Sequence, residues 1–273
     1  MSAQNHISRI TAPRVTARKG KEPIVCLTAY DAPTDAIIDE YCDLILVGDS
    51  VGMVVHGLTT TVGVTLDMMI MHGQAVMRGS KKALVVVDLP FGSYEDSVET
   101  AFKNASRVMI ETGCQAVKIE SGSYAADTIS YLVERGIPVM SHVGLRPQSM
   151  NVLGGFKARG RRKEVADEII ENAVAAAEAG SFAVVVEGTS VEIAEKVTQA
   201  VSIPTIGIGA SAGCDGQILV TPDMLGLFER VPKFVKKYGD LKGFIETSVG
   251  DYAREVKERS FPGVANTYKF TKK

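Results

Sequence analysis

Residues 44–52 read Leu-Ile-Leu-Val-Gly-Asp-Ser-Val-Gly. Four large apolar residues end abruptly in Gly48-Asp49-Ser50. Strands of a parallel α/β sheet are buried on both faces, so they read as unbroken apolar runs, and such sheets build their sites at the C-terminal strand ends. A carboxylate and a hydroxyl delivered at that point fit this reading. The same residues also spell Gly48-x-Ser50-x-Gly52, the sequence form of a hydrolase nucleophile elbow. The remainder of the chain has to separate the two.

Outward from this stretch the same alternation recurs. Apolar runs begin near residues 23, 44, 83, 115, 137, 182, 203 and 217. Between most of them lies a helical pattern: Met69, His72, Val76 and Gly79 fall at helical steps, as do Val98, Phe102, Ala105 and Met109 before Gly113. Residues 125–135, 163–179 and 191–200 read as further helices. Helices between short apolar strands imply parallel βαβ units. Eight of them in roughly 250 residues match the size of a (β/α)8 barrel, with an open doubly wound sheet as the alternative architecture. The chain is expected to form one domain over residues 1–273, with a short N-terminal extension. A C-terminal amphipathic helix over 240–259 carries Leu241, Phe244, Ile245, Val249, Tyr252 and Val256 on one stripe. Residues 53–64 are expected to be a threonine-rich loop.

Bulk properties narrow the classes of function. Hydrophobic residues make up 45% of the chain and net charge is −2; mean hydropathy is +0.10. A sizeable core is expected, with no electrostatic reason to bind nucleic acid or an anionic membrane. Cys26, Cys42, Cys114 and Cys214 lie far apart without metal-finger spacing, as reduced thiols of a cytoplasmic protein do. No run approaches the ~18 apolar residues of a membrane span. The first twenty residues lack acids and carry Arg9, Arg14, Arg18 and Lys19, a weak likeness to a transit peptide. Ile7, Ile10 and Val15 can equally anchor a packed segment there.

The chemistry is written in the strand ends. Asp49 and Ser50 follow the second run, Asp88 the third, Lys118 and Glu120 close the fourth, His142 ends the fifth and Glu187 the sixth. In a barrel these residues converge at one mouth. A single acid there can simply cap the next helix; a polar ending on five successive strands points to a site. Asp49, Asp88 and Glu120 are hard oxygen donors of the kind that suit Mg²⁺. Lys118 and Glu120, two apart on a strand, point the same way, so the lysine either binds a substrate carboxylate or pairs with Glu120. Glu187 emerges from an apolar run, and burial makes a carboxylate a better base. A base beside a metal-held 2-oxo acid is the arrangement for removing a proton from the neighbouring carbon. A hydrolase elbow needs a helix after the serine; residues 53–63 have no helical stripe, which counts against a serine nucleophile. Gly207-x-Gly209 is an incomplete dinucleotide fingerprint, and no P-loop or HExxH occurs. His56 and His72 read as structural or surface residues. A basic cluster, Arg159, Arg161, Arg162 and Lys163, is either a solvated helix start or a contact for an anionic tail.

Several stretches resemble the ketopantoate hydroxymethyltransferase family: LVGDSVGMVVHG (46–57), VVDLPFGSY (86–94), AVKIE (116–120), SHVGLRPQS (141–149), GGFKARGR (154–161), VVVEG (184–188), and IPTIGIGAS (203–211) with CDGQILV (214–220). The likeness runs in order from about Arg9 to Tyr238. It implies a barrel of the phosphoenolpyruvate mutase/isocitrate lyase type, assembled as a homodecamer. It implies hydroxymethyl transfer from 5,10-methylenetetrahydrofolate to 3-methyl-2-oxobutanoate, forming 2-dehydropantoate on the way to pantothenate. Position by position, Asp49, Asp88 and Glu120 resemble the Mg²⁺ ligands. Asp49, Ser50, Asp88 and Lys118 resemble the 2-oxo acid contacts. Glu187 resembles the base, and His142 shares the pocket. The segment 261–268 departs from the family's C-terminal pattern and carries none of these residues. A Mg²⁺-dependent C–C or P–C lyase on another 2-oxo acid is the competing reading, and a non-catalytic scaffold is the bland one.

Overall fold

A computed structural model describes residues 9–122, 124–156 and 158–269. Eight parallel strands carry the chain: β1 (Ile24–Thr28), β2 (Leu44–Val47), β3 (Leu84–Asp88), β4 (Ala116–Glu120), β5 (Val139–Gly144), β6 (Ala183–Glu187), β7 (Thr205–Ile208) and β8 (Gly216–Leu219). They pair in sequence order, and β8 returns to β1 to close a barrel. The open-sheet alternative is therefore excluded, and the stretch that began as four apolar residues is β2, buried throughout.

Strand alternation sorts the side chains into two layers. Ile45, Val47, Val85, Val87, Val117 and Ile119 pack outward, within the cluster that also holds Met69, Val76, Val108 and Ile129 from the helices. Leu44, Leu46, Leu84, Val86, Ala116, Met140, Ala183, Val185 and Ile206 fill the inside. Ala12 and Val15 of the short helix Ala12–Thr16 belong to that inner cluster, so the N-terminal segment packs onto the barrel interior. Its basic residues are used structurally. Arg9 donates to Ser80 and to the Ala83 carbonyl, Arg18 pairs with Asp43, and Lys19 pairs with Asp215 at 2.9 Å. Ile7 lies outside the described residues.

The helices start where side chains can satisfy free backbone N–H groups. Thr65 caps Leu66–Gly79, Ser97 caps Val98–Thr112 and Ser190 caps Val191–Ala200. Gly113 ends the second of these at φ +79°, a backbone state that costs glycine little. Two local expectations need correction. A single helical turn, Val51–Val54, follows Ser50, and a 3₁₀ turn, Thr61–Gly63, follows it, where a loop was expected. β5 also extends through Ser141 and His142 to Gly144, because buried polar residues that find hydrogen-bond partners can continue a strand.

Two compact units are present, Met1–Thr221 with the barrel and Pro222–Lys273. In the second, the helix Leu241–Glu258 is capped by Asp240, and Arg259 ends it in the left-handed conformation at φ 56°. Phe244, Ile245, Val249 and Tyr252 are exposed along it. No helix of the described residues is long and apolar enough to cross a membrane.

Candidate active site

The inward positions at the C-terminal ends of β3, β4, β5 and β6 are polar, whereas the inward positions deeper in the barrel are apolar. Asp88 stands opposite Lys118 in the β3–β4 register, and Glu120 opposite His142 in the β4–β5 register. The side chains connect. Lys118 Nζ lies 3.2 Å from Asp88 Oδ1 and 3.4 Å from His142 Nδ1. His142 Nε2 lies 3.1 Å from Glu187 Oε2, close but without the alignment of a hydrogen bond. The ammonium can only donate, so Nδ1 accepts and the ring proton sits on Nε2, facing Glu187.

Asp49 joins through its backbone, whose N–H donates to Asp88 Oδ2 at 3.0 Å. Gly48 permits this: a Cβ there would lie 2.8 Å from Ser50 Oγ and 3.6 Å from Asp88 Oδ2. Gln148, from the 3₁₀ turn Pro147–Ser149, ties the acids together. Its Nε2 donates to Asp49 Oδ2 at 2.8 Å and to the Leu89 carbonyl at 2.9 Å, and its backbone N–H donates to Glu120 Oε1 at 2.9 Å. Tyr94 Oη donates to Gln148 Oε1 at 2.6 Å and accepts from the Glu120 N–H at 3.1 Å.

Burial sets the electrostatics. It pushes the Asp49 and Asp88 carboxyls up, with Lys118 pulling both back. Glu120 is raised to about 8 by burial and by the Asp49 charge. Burial works against the Lys118 charge, but Asp88, Asp49 and Glu120 outweigh it, so the ammonium holds its proton more firmly than usual. Burial and the adjacent Lys118 drive His142 well below its usual range, which makes it a neutral imidazole. Glu187 is raised to about 7, first by burial. Its side chain keeps 15% exposure against 2% for Asp88, so Glu187 is the acid open to the mouth.

Three buried carboxyls face one ammonium, and burial holds all three above their ordinary range, so their full ionisation calls for a further positive charge. Glu120 Oε2 is moreover a buried acceptor without a hydrogen-bond partner among the described residues. Both observations fit a hard divalent cation. Among the described residues no three His, Cys, Asp or Glu side chains enclose an ion unaided. The donor set therefore suits a cation that keeps water and substrate oxygens in its coordination sphere, as Mg²⁺ does.

The structure thus brings Asp49, Asp88, Lys118, Glu120, His142 and Glu187 into one network, and Lys118 pairs with Asp88. Ser50 sits beside it, with its hydroxyl 2.8 Å from Tyr30 Oη. Its backbone is ordinary right-handed helix, φ −51°, ψ −18°, unlike the strained turn of a nucleophile elbow. His56 and His72 pair with each other at 2.8 Å, and His72 Nδ1 meets the Tyr30 carbonyl. In the basic cluster, the Arg159 N–H donates to the Gly188 carbonyl at 2.7 Å while Arg161, Arg162 and Lys163 are exposed. Gln148, Tyr94 and Tyr30 escaped the sequence reading. All three lie in stretches of recognisable pattern, but neutral polar residues beyond a strand end give no charge signal.

A family model described as Ketopantoate hydroxymethyltransferase matches residues 9–264. A 3-methyl-2-oxobutanoate hydroxymethyltransferase of Phenylobacterium zucineum is 64% identical over 265 residues, covering 97% of this chain and 96% of its own length. One from Caulobacter vibrioides is 63% identical over 262 residues, 96% and 95% of the two chains. Among solved structures, phosphoenolpyruvate phosphomutase from Streptomyces platensis superposes with a TM-score of 0.62 at 12% identity, covering 91% of this chain and 88% of that one. 2,3-Dimethylmalate lyase, a phosphoenolpyruvate mutase/isocitrate lyase superfamily member, superposes at 0.58 and 16% identity, covering 94% and 91%. These two share the barrel.

Proposed function

The chain belongs to the ketopantoate hydroxymethyltransferase family, and from that premise we propose that its barrel mouth transfers a hydroxymethyl group to 3-methyl-2-oxobutanoate, giving 2-dehydropantoate for pantothenate synthesis. The observation that carries the mechanism is the Glu187 carboxyl. It is raised to about 7 by burial, partly exposed, and set against a neutral imidazole at the edge of an acid cluster. A base with that proton affinity is matched to abstraction near neutral pH.

In this reading Asp49 and Asp88 hold Mg²⁺, with Glu120 completing the acidic set. When bound, Mg²⁺ supplies Lewis-acid stabilisation of charge developing on the keto oxygen. Lys118 and the Ser50 hydroxyl bind the substrate carboxylate, with Asp49 and Asp88 close to the 2-oxo group. Glu187 takes the C3 proton, with His142 Nε2 3.1 Å from its carboxylate. The C3 electron pair forms the new C–C bond to the methylene carbon of 5,10-methylenetetrahydrofolate. Both C–N bonds from that carbon to the folate break, water provides the hydroxyl group, and tetrahydrofolate leaves with the second proton of the water and the proton that Glu187 had taken. Gln148 and Tyr94 position the acids, since they bond Asp49 and Glu120 and reach no reacting atom.

The partners of this reading are a small 2-oxo acid and folate, in the cytoplasm, with neither nucleic acid nor membrane. Assembly into a homodecamer belongs to the same proposal; the exposed apolar stripe on Leu241–Glu258 supports self-association. Incubation with 3-methyl-2-oxobutanoate, Mg²⁺ and methylenetetrahydrofolate tests the function. The expected result is 2-dehydropantoate that requires all three components. Cleavage of a C–C or P–C bond of another 2-oxo acid without folate, in place of that product, would instead assign a lyase.

A further inference from the structure

Beside the acid cluster lies a cavity of about 150 Å³ that the chemistry above leaves unused. Its walls include Phe91 and Tyr94 from the loop after β3 and Tyr124 from the loop after β4. Its inner boundary is Glu120 and Gln148, the two residues that tie this cavity to Asp49. Phe91 and Tyr124 are 49% and 52% exposed, although rings of this size are normally covered. A cavity of this volume accepts about one aromatic ring and no more. Three aromatic side chains around a single-ring space favour a flat π-system.

The rim adds a polar preference. Glu95 also lines the cavity, and its Oε2 accepts the Gly92 and Tyr94 backbone N–H groups at 2.9 and 3.1 Å. Those two bonds hold an acceptor carboxylate at the edge of the aromatic slot. The occupant that matches is a flat heteroaromatic ring bearing N–H donors.

The geometry points to this slot as the seat of the aminopyrimidinone ring, the flat heteroaromatic half of the one-carbon donor's reduced pterin, with the saturated half outside the slot. The inference rests on the hydroxymethyl-transfer reading and adds the donor's location to it. The transferred carbon is carried on nitrogen at the reduced pterin, so the pterin is the part of the carrier that must lie next to the 2-oxo acid. A slot sharing Glu120 and Gln148 with the acid cluster places it there. The rest of the carrier is too large for the cavity and extends past the exposed edges of Phe91 and Tyr124 towards solvent.

Steady-state kinetics of Phe91→Ala, Tyr124→Ala and the double variant test this. Both side chains are about half exposed, so truncation spares the core. The KM for methylenetetrahydrofolate should rise about tenfold per ring removed, while the KM for 3-methyl-2-oxobutanoate stays within about twofold. Phe91→Tyr, which keeps a flat ring, should restore the donor KM. An unchanged donor KM in the double variant, or an equal rise in both KM values, would overturn the assignment. Wild-type turnover of the donor separates the two levels. It persists if only the slot is wrong, and its absence would remove the transfer reading and the slot together.

Discussion

At the scale of the residue, Glu187 is costly to stability and useful for that reason. A carboxyl that burial raises from 4.5 to about 7 is one whose charged form the folded protein disfavours. The sign follows from the two values. Below about 4.5 the group is protonated in both folded and unfolded chains and the cost is absent; above about 7 it is charged in both and the cost is complete. Glu187→Gln removes the charge at similar volume. Its stability relative to wild type should therefore increase between pH 5 and pH 8, by on the order of 3 kcal/mol without ligands. Denaturant melts at the two pH values in chelator read this directly, and a pH-independent difference would contradict the burial account. A stabilised but inactive variant is the usual trade at a strained site.

At the scale of the element, most of the site was legible because strands have period two. Lys118 and Glu120 had to share a face, and the face had to be the inner one, since Val117 and Ile119 on the alternate positions are apolar. The convergence of Asp88, His142 and Glu187 followed once eight runs were counted. Less legible was what lies off the strands. Gln148 reaches the site from a 3₁₀ turn after β5, and no periodicity places a side chain across such a turn. The pairing of Lys118 with Asp88 in preference to Glu120 depends on the register of β3 against β4, which a single sequence does not contain. The helical turn after Ser50 was missed because four residues are too few for a stripe. One element-level device can be tested at Gly144, which ends β5 at φ +93°. A Cβ there would collide with the Glu187 carbonyl. Gly144→Ala should destabilise the fold by about 1–3 kcal/mol, and it should lower kcat by moving the strand end that carries Glu187. A melting temperature and kcat both equal to wild type would show that the contact constrains nothing.

At the scale of the whole molecule, the barrel collects residues from five strand ends that span positions 49 to 187. The apolar layer beneath them, from Leu44 to Ile206, holds the ends in place, and the N-terminal segment packs into that layer. The same barrel appears in a phosphomutase and a lyase at 12% and 16% identity, so architecture alone does not choose the reaction. The family match does that. In the proposed function this mouth makes a carbanion by delivering the C3 proton of a 2-oxo acid to Glu187. The most direct measurement is exchange of that proton with deuterated solvent, followed by NMR with Mg²⁺ present and the folate donor omitted. Wild type should exchange it, with a rate that rises towards pH 7 and then levels, and Glu187→Gln should bind 3-methyl-2-oxobutanoate yet show no exchange. Exchange at the wild-type rate in Glu187→Gln would mean that Glu187 is not the base.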